Sequence, residues 1–216
     1  MQKKTSMLLL TLLLPIFFIF SLFAPSLSNS ATISYYFDIN NSGIVGGPWG
    51  MITLTENGLY QVDFIVDPFD SAFSTTSNFG LQNFGFNEST TDGSRLSIIN
   101  LPSGWSKLYG EDNLGGYGPY GKFDLETDRT GGSRQDPLRF SVIVNPLYPF
   151  TIDISTFTTE LSTEGYLFAG HIAGFTAAGS PETSAKFSTT GHPVTTVPEP
   201  ATMFLLGSGL IGLAGF

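Results

Sequence analysis

The chain predicts an all-β fold, an antiparallel β-sandwich of jelly-roll-like type, on three observations. Residues alternate with period two over many short runs, as in Tyr60, Val62, Phe64 and Val66 set against Gln61, Asp63 and Ile65, which places the first set on a single face of a strand. The 216 residues hold 20 Phe and 8 Tyr, types that suit a pleated, half-buried surface. The 25 Gly and 13 Pro punctuate those runs as turns, and the middle of the chain shows no long stretch of helical periodicity.

The strands follow in order. Thr32 to Ile39 is the first, rich in β-branched and aromatic residues. Met51 to Thr55 and Leu59 to Val66 are the next two, joined through Glu56-Asn57-Gly58. Asn-Gly between two such runs is the strongest short hairpin signal, since both residues tolerate positive φ. Further strands are expected at Phe79 to Phe86, Arg95 to Ile99, Lys122 to Glu126, Leu138 to Val144, Phe150 to Ser155 and Tyr166 to Phe175. Gly46-Gly47-Pro48, Gly115-Gly116-Tyr117-Gly118-Pro119, Gly131-Gly132-Ser133 and Asn145-Pro146 supply the connections. The segment from Pro181 to Val197 is rich in Ser, Thr and Pro and reads as a flexible stalk.

Both ends carry targeting chemistry. Lys3 and Lys4 form a positive n-region, Met7 to Phe23 is almost wholly apolar, and Ser26 to Ala31 supplies small residues for a signal-peptidase site. Cleavage is expected between Ser28 and Thr32, just after Ser30 or Ala31. At the other end Val197-Pro198-Glu199-Pro200-Ala201-Thr202 leads into Met203 to Phe216, an uncharged, Gly-spaced, oily run. The two prolines fix φ and disfavour helix before Pro200. The tripeptide is therefore expected to be extended and accessible, while the tail beyond it suits lipid. The organisation read from the sequence is a signal peptide at 1–31, a sandwich at 32–180, a stalk at 181–197 and the Pro-Glu-Pro step with its hydrophobic tail at 198–216.

The Val-Pro-Glu-Pro-Ala-Thr step with its Leu-Leu-Gly-Ser-Gly-Leu-Ile-Gly continuation resembles the PEP-CTERM sorting signal of Gram-negative bacteria. The resemblance covers roughly the last twenty residues. It implies recognition of Pro198, Glu199 and Pro200 by an exosortase-type membrane protease, transient membrane association through a hydrophobic sorting helix, and a destination at the cell envelope, cell surface or exopolysaccharide-rich matrix. One feature departs from the family, whose tail normally closes in a basic cluster: no Lys or Arg follows the apolar run before Phe216. As a helix, Ala201 to Phe216 spans about 24 Å, short of a hydrocarbon core of ~30 Å.

Composition limits the function of what lies between. The formal net charge is −9 and becomes −11 once Lys3 and Lys4 leave with the leader, which disfavours nucleic acid and anionic lipid as partners. Cysteine is absent, so an exported domain must be held by its core or by bound ions, and thiol chemistry is excluded.

Candidate sites are few. Asp38-Ile39-Asn40-Asn41-Ser42-Gly43 opens like a calcium loop, but position twelve is Trp49 where a bidentate Glu is needed. An Asx-rich turn is the expectation there. Asp124, Glu126 and Asp128 share one strand face; they are weak Ca²⁺ candidates beside the reading as a solvated acidic edge. No cofactor is otherwise expected. His171 is expected to be structural and His192 to lie in the stalk, and no Gly-x-Ser-x-Gly elbow accompanies either. Glu160 and Glu164 are two acids among many for a paired-carboxylate glycosidase. Trp49, Trp105, Tyr109, Tyr117 and Tyr120 lie in Gly- and Pro-rich stretches. They would stack on sugars or cap the core, and Trp49, Trp105 and Tyr117 are the leading ligand-stacking candidates. The reading is a non-enzymatic exported protein, handled by signal peptidase and an exosortase and associated with exopolysaccharide. The alternatives are a carbohydrate-binding module and a secreted glycan hydrolase.

Overall fold

The computed structural model describes residues 30–90, 92–129, 133–177 and 183–194. They form two six-stranded sheets packed face to face, with every strand pair antiparallel. In chain order the strands are β1 (Thr32–Tyr36), β2 (Ile39–Asn40), β3 (Gly50–Glu56), β4 (Gln61–Pro68), β5 (Ser74–Phe86), β6 (Leu96–Ile99), β7 (Trp105–Leu114), β8 (Phe123–Arg129), β9 (Leu138–Val144), β10 (Phe168–Thr176), β11 (Ser184–Ser188) and β12 (Pro193–Val194). One sheet runs β12-β1-β3-β4-β9-β6 and the other β2-β11-β10-β5-β8-β7. The all-β sandwich expected from the sequence is the fold.

The alternation in β4 does what period two demands. Val62, Phe64 and Val66 are at most 1% exposed, and Tyr60 packs against the same core. The β3–β4 hairpin turns at Asn57-Gly58, and there only Gly58 takes positive φ, at 77°. Phe64 stacks on Phe140 with centroids 4.9 Å apart and planes at 11°, and meets Phe86 of the facing sheet at 5.1 Å and Phe157 at 5.3 Å. This Phe-rich seam supplies the close-packed interior that holds a domain without cysteine to cross-link it.

Two expectations are corrected, and one unforeseen strand appears. Phe150 to Ser155 forms no strand. Asp153 accepts the Thr156 amide at 3.0 Å, the Thr156 hydroxyl accepts the Asp153 amide at 3.1 Å, and a short 3₁₀ turn runs over Ile154–Phe157. This capping box satisfies the backbone locally and overrides the apolar alternation. The stalk expected at 181–197 is folded where described. β11 pairs with β10 and β2, Phe187 is fully buried, and β12 pairs with β1. The Ser/Thr-rich composition conceals a short alternation in which Ala185 and Phe187 point inward and Lys186 outward. His192, placed by the sequence in that stalk, sits between β11 and β12. Finally, β7 lies in a Gly- and Asp-containing stretch with no strand signal, and β8 anchors it from Trp105↔Arg129 to Tyr109↔Leu125. The expected leader lies outside the described residues apart from Ser30 and Ala31.

Candidate functional site

Two places on the second sheet gather polar chemistry. The first is where β7 loses register with β8. Pairing is regular to Tyr109↔Leu125 and resumes only at Leu114↔Phe123, so the intervening residues bulge outward. Asp124 holds the bulge. Its Oδ1 accepts the Asp112 amide at 2.6 Å, its Oδ2 accepts the Glu88 amide at 3.4 Å, and its own amide donates to Asn87 Oδ1 at 2.9 Å. Asp112 itself adopts φ 52°, a left-handed conformation that Asp tolerates better than most residues. The bulge opens a shallow cavity of about 440 Å³ lined by Tyr109, Gly110, Asp112 and Asn113. Glu88 lies nearby, 5% exposed, its carboxylate accepting from the Thr90 amide at 2.7 Å and from the Thr90 hydroxyl. Burial raises the Glu88 pKa despite those bonds, and the charges of Asp124 and Glu160 push the same way. Lys107 passes its ammonium 5.7 Å from the Tyr109 ring centroid to donate to the Leu96 carbonyl, and burial lowers its pKa.

The second place is the outer face of the sheet. Register aligns Lys186, His171, Asn83, Asp128 and Ser106 in one row, and Ser188, Ala169, Gly85, Glu126 and Leu108 in the next. The Gly-rich connection between β7 and β8 folds back over these rows. Tyr117, fully buried, lies on Gly85, where a Cβ would come within 2.7 Å of its ring. Tyr117 packs edge-on against Phe123 at 5.2 Å, and Tyr120 against Tyr166 at 5.1 Å. Beneath this cover Glu126 is 5% exposed and accepts from Asn83 Nδ2 at 2.9 Å. Burial, reinforced by Asp128, pushes the Glu126 pKa up to about 7, with the Tyr117 hydroxyl and Asn83 pulling it back. Burial likewise raises Tyr117 well above its ordinary value, and the Glu126 carboxylate adds to that. His171 is held below its usual pKa by burial, then by Lys186 and Arg134, so it is neutral at pH 7.

The sequence-derived candidates fare unequally. Trp49 is 5% exposed and packs 5.7 Å from Phe187. Trp105 is 8% exposed and donates its indole N–H to the Ser133 carbonyl at 3.0 Å. With Tyr117 also buried, none of the three presents a ring face for stacking on sugar; they close the ends and outer layer of the core. Tyr109, at the cavity, is the aromatic that keeps partial exposure. Asp124, Glu126 and Asp128 do not form a solvated edge, because Asp124 braces the backbone and Glu126 is covered. Among the described residues no three acidic or histidine side chains come together to hold a metal. The Asp38 loop spends its oxygens on the backbone. Asn40 Oδ1 accepts the Ser42 and Ile44 amides at 3.0 and 3.1 Å, Asn41 Oδ1 accepts the Lys186 amide at 3.0 Å, and Asp38 accepts the Thr190 amide at 2.8 Å. That is the Asx turn expected there. Sequence reasoning missed the Asp124 brace and the cavity, since a register shift between strands leaves no mark on either strand alone.

Pro198, Glu199 and Pro200 lie outside the described residues. Residues 196–216 match the model of the PEP-CTERM protein-sorting motif. The chain ends in a PEP-CTERM signal. Such motifs mark exported proteins sorted to the cell envelope and processed by an exosortase, a membrane protease, and the resemblance read from the sequence is upheld. No curated protein and no solved structure matches the chain. The PEP-CTERM match covers the tail alone, so the sandwich must be read from its own residues.

Proposed function

We propose that this chain is a non-enzymatic surface or matrix protein, freed of an N-terminal leader by signal peptidase, processed at Pro198-Glu199-Pro200, and resident with exopolysaccharide outside a Gram-negative cell. The observation that carries the reading is the sorting motif at 196–216. The sandwich supports it, because the buried Asp124 and Glu88 carboxylates accept backbone amides and His171 lies near the cations Lys186 and Arg134. Mass spectrometry of the protein from an exosortase-competent cell tests the processing. A mature C-terminus near Pro200 is expected, and a polypeptide intact through Phe216 would refute it. Co-fractionation with matrix polysaccharide, abolished by a polysaccharide-degrading enzyme, tests the location.

The cavity beside Tyr109 favours a second reading, a carbohydrate-binding module. A half-exposed ring next to Asp112 and Asn113 offers the apolar platform and the polar groups that a pyranose uses. Glycan-array binding lost in Tyr109→Ala would support this reading, whereas an array on which the parent protein retains no sugar would end it.

A further inference from the structure

The last strand fixes where the sorting tail leaves the fold. β12 runs antiparallel to β1 with Tyr35↔Pro193 and Ser34↔Val194, so the chain departs toward Thr32. Thr32 pairs with Thr55, the Glu56 amide donates to the Ala31 carbonyl at 2.9 Å, and the hairpin tip with Leu59 follows. The tail therefore exits at the hairpin end of the sandwich.

That end carries an apolar rim. Leu59 is 66% exposed, Leu147 90% and Tyr148 37%. They adjoin one another because the Ile152 amide donates to the Leu59 carbonyl at 3.1 Å and the Val144 amide to the Tyr60 carbonyl at 3.0 Å, which brings the 145–152 loop beside the tip. Tyr148 stacks on Phe150 at 6.3 Å, with the Arg95 guanidinium 4.7 Å from its ring centroid. Leu, Tyr and Arg in this order of depth are the types that occupy a membrane–water interface.

Tether length ties the two observations together. Val194 stands opposite Ser34, which faces Thr53, and the hairpin tip lies five or six residues beyond Thr53, about 17–20 Å at ~3.3 Å per residue. From Val194 to Ala201, the first residue of the uncharged tail beyond the tripeptide, the chain reaches at most ~25 Å. Lipid thus starts roughly level with the tip, with no length left for a stalk. We propose that the hairpin end of the sandwich rests on the bilayer through Leu59, Leu147 and Tyr148, the occupant of this rim being a zwitterionic lipid surface. The proposal rests on the reading that the PEP-CTERM tail enters lipid. The acidic balance of the mature chain favours zwitterionic over anionic headgroups.

The absence of cysteine permits single-site labelling. The chain with leader removed and tail intact is reconstituted in phosphatidylcholine vesicles carrying a nitroxide lipid, with an environment-sensitive fluorophore on Leu147→Cys, on Leu213→Cys in the tail, or on Val45→Cys. Val45 is 68% exposed and lies before Gly50, at the opposite end of the sandwich. Quenching several-fold stronger at 147 than at 45, together with quenching at 213, is expected, and it falls when phosphatidylglycerol replaces part of the lipid. Quenching at 213 with 147 and 45 alike overturns the seating and leaves the tail reading intact. No quenching at 213 overturns both. A blue shift at 147 without vesicles shows that protein covers the rim, through the tail if it is independent of concentration or a second copy if not, and also overturns the proposal.

Discussion

Replacing Phe187 by Ala tests whether residues 184–188 belong to the folded body. The ring is fully buried and meets four others, Trp49 and Phe73 at 5.7 Å, Phe175 at 6.3 Å and Phe37 at 6.4 Å. Truncating a buried Phe to Ala costs about 3–5 kcal/mol, from lost burial plus the cavity left behind. The high end is expected, since the four surrounding rings sit on four separate segments and have little freedom to collapse together. Against a total stability of about 5–15 kcal/mol, that is a large fraction. With a urea dependence of about 2 kcal/mol per molar, the midpoint falls by roughly 1.5–2.5 M. The assay is urea unfolding followed by near-ultraviolet circular dichroism. Lys186→Ala is the control, as its side chain lies on the outer face of the same strand. Its midpoint is expected to shift by less than about 0.5 kcal/mol in equivalent stability. If Phe187→Ala were as silent as Lys186→Ala, the segment would be a stalk and the second sheet would end at β10.

Three further outcomes are expected. Glu126 has a folded pKa of about 7 against an ordinary value of 4.5, so its contribution to stability is complete below about 4.5 and is lost as pH rises through about 7; Glu126→Gln should flatten that part of the decline in urea midpoints measured from pH 4 to 8. Gly85→Ala should destabilise by about 1–3 kcal/mol, because the new methyl meets the Tyr117 ring, and Tyr117 fluorescence should become quenchable by iodide. Asp124→Ala removes the acceptor for two amides and should cost about 1–3 kcal/mol, with faster hydrogen exchange at Asp112 and Glu88 than at the ladder-paired residues of β7 and β5.

The strands that were legible in the sequence are those whose inward residues are all large and whose partners lie close by. β4 shows this best, since Val62, Phe64 and Val66 announce a face and Asn57-Gly58 announces the reversal that pairs it with β3. What stayed hidden depends on partners distant in the chain. β11 contributes only Ala185 and Phe187 to the interior, and its strand character comes from pairing with β10 and β2. Phe150 to Ser155 failed for the opposite reason. The pattern was present, but Asp153 and Thr156 offered the backbone local bonds before any strand could. The buried fate of Trp49, Trp105 and Tyr117 could not be separated from exposure by composition, because a Gly-rich loop that displays an aromatic ring and one that folds the ring down read the same. Gly85 is the residue that decides it for Tyr117, by leaving room for the ring.

The acids of this domain explain how it dispenses with disulfides. Beyond the Phe seam, irregular segments are fastened by carboxylates and amides that accept backbone N–H groups across long separations in sequence. Asp38 holds Thr190, Asn41 holds Lys186, Asp124 holds Asp112 and Glu88, and Glu56 holds Ile154. Each bond contributes modestly on its own, and those to Asp112, Glu88 and Ile154 also prevent a buried or half-buried amide from going unpaired. The clamps from Asp38 and Asn41 are the most consequential, because they pin residues 186–190 to the segment that follows β1. They keep the last strands in the sheet, and with them the point from which the sorting tail departs. A chain in which Asp38→Ala frees Thr190 should therefore present Pro198-Glu199-Pro200 on a longer and looser tether, and faster exosortase processing than in the parent, measured by pulse-chase, is the expected result; an unchanged rate would mean that the clamp has no part in presenting the tripeptide.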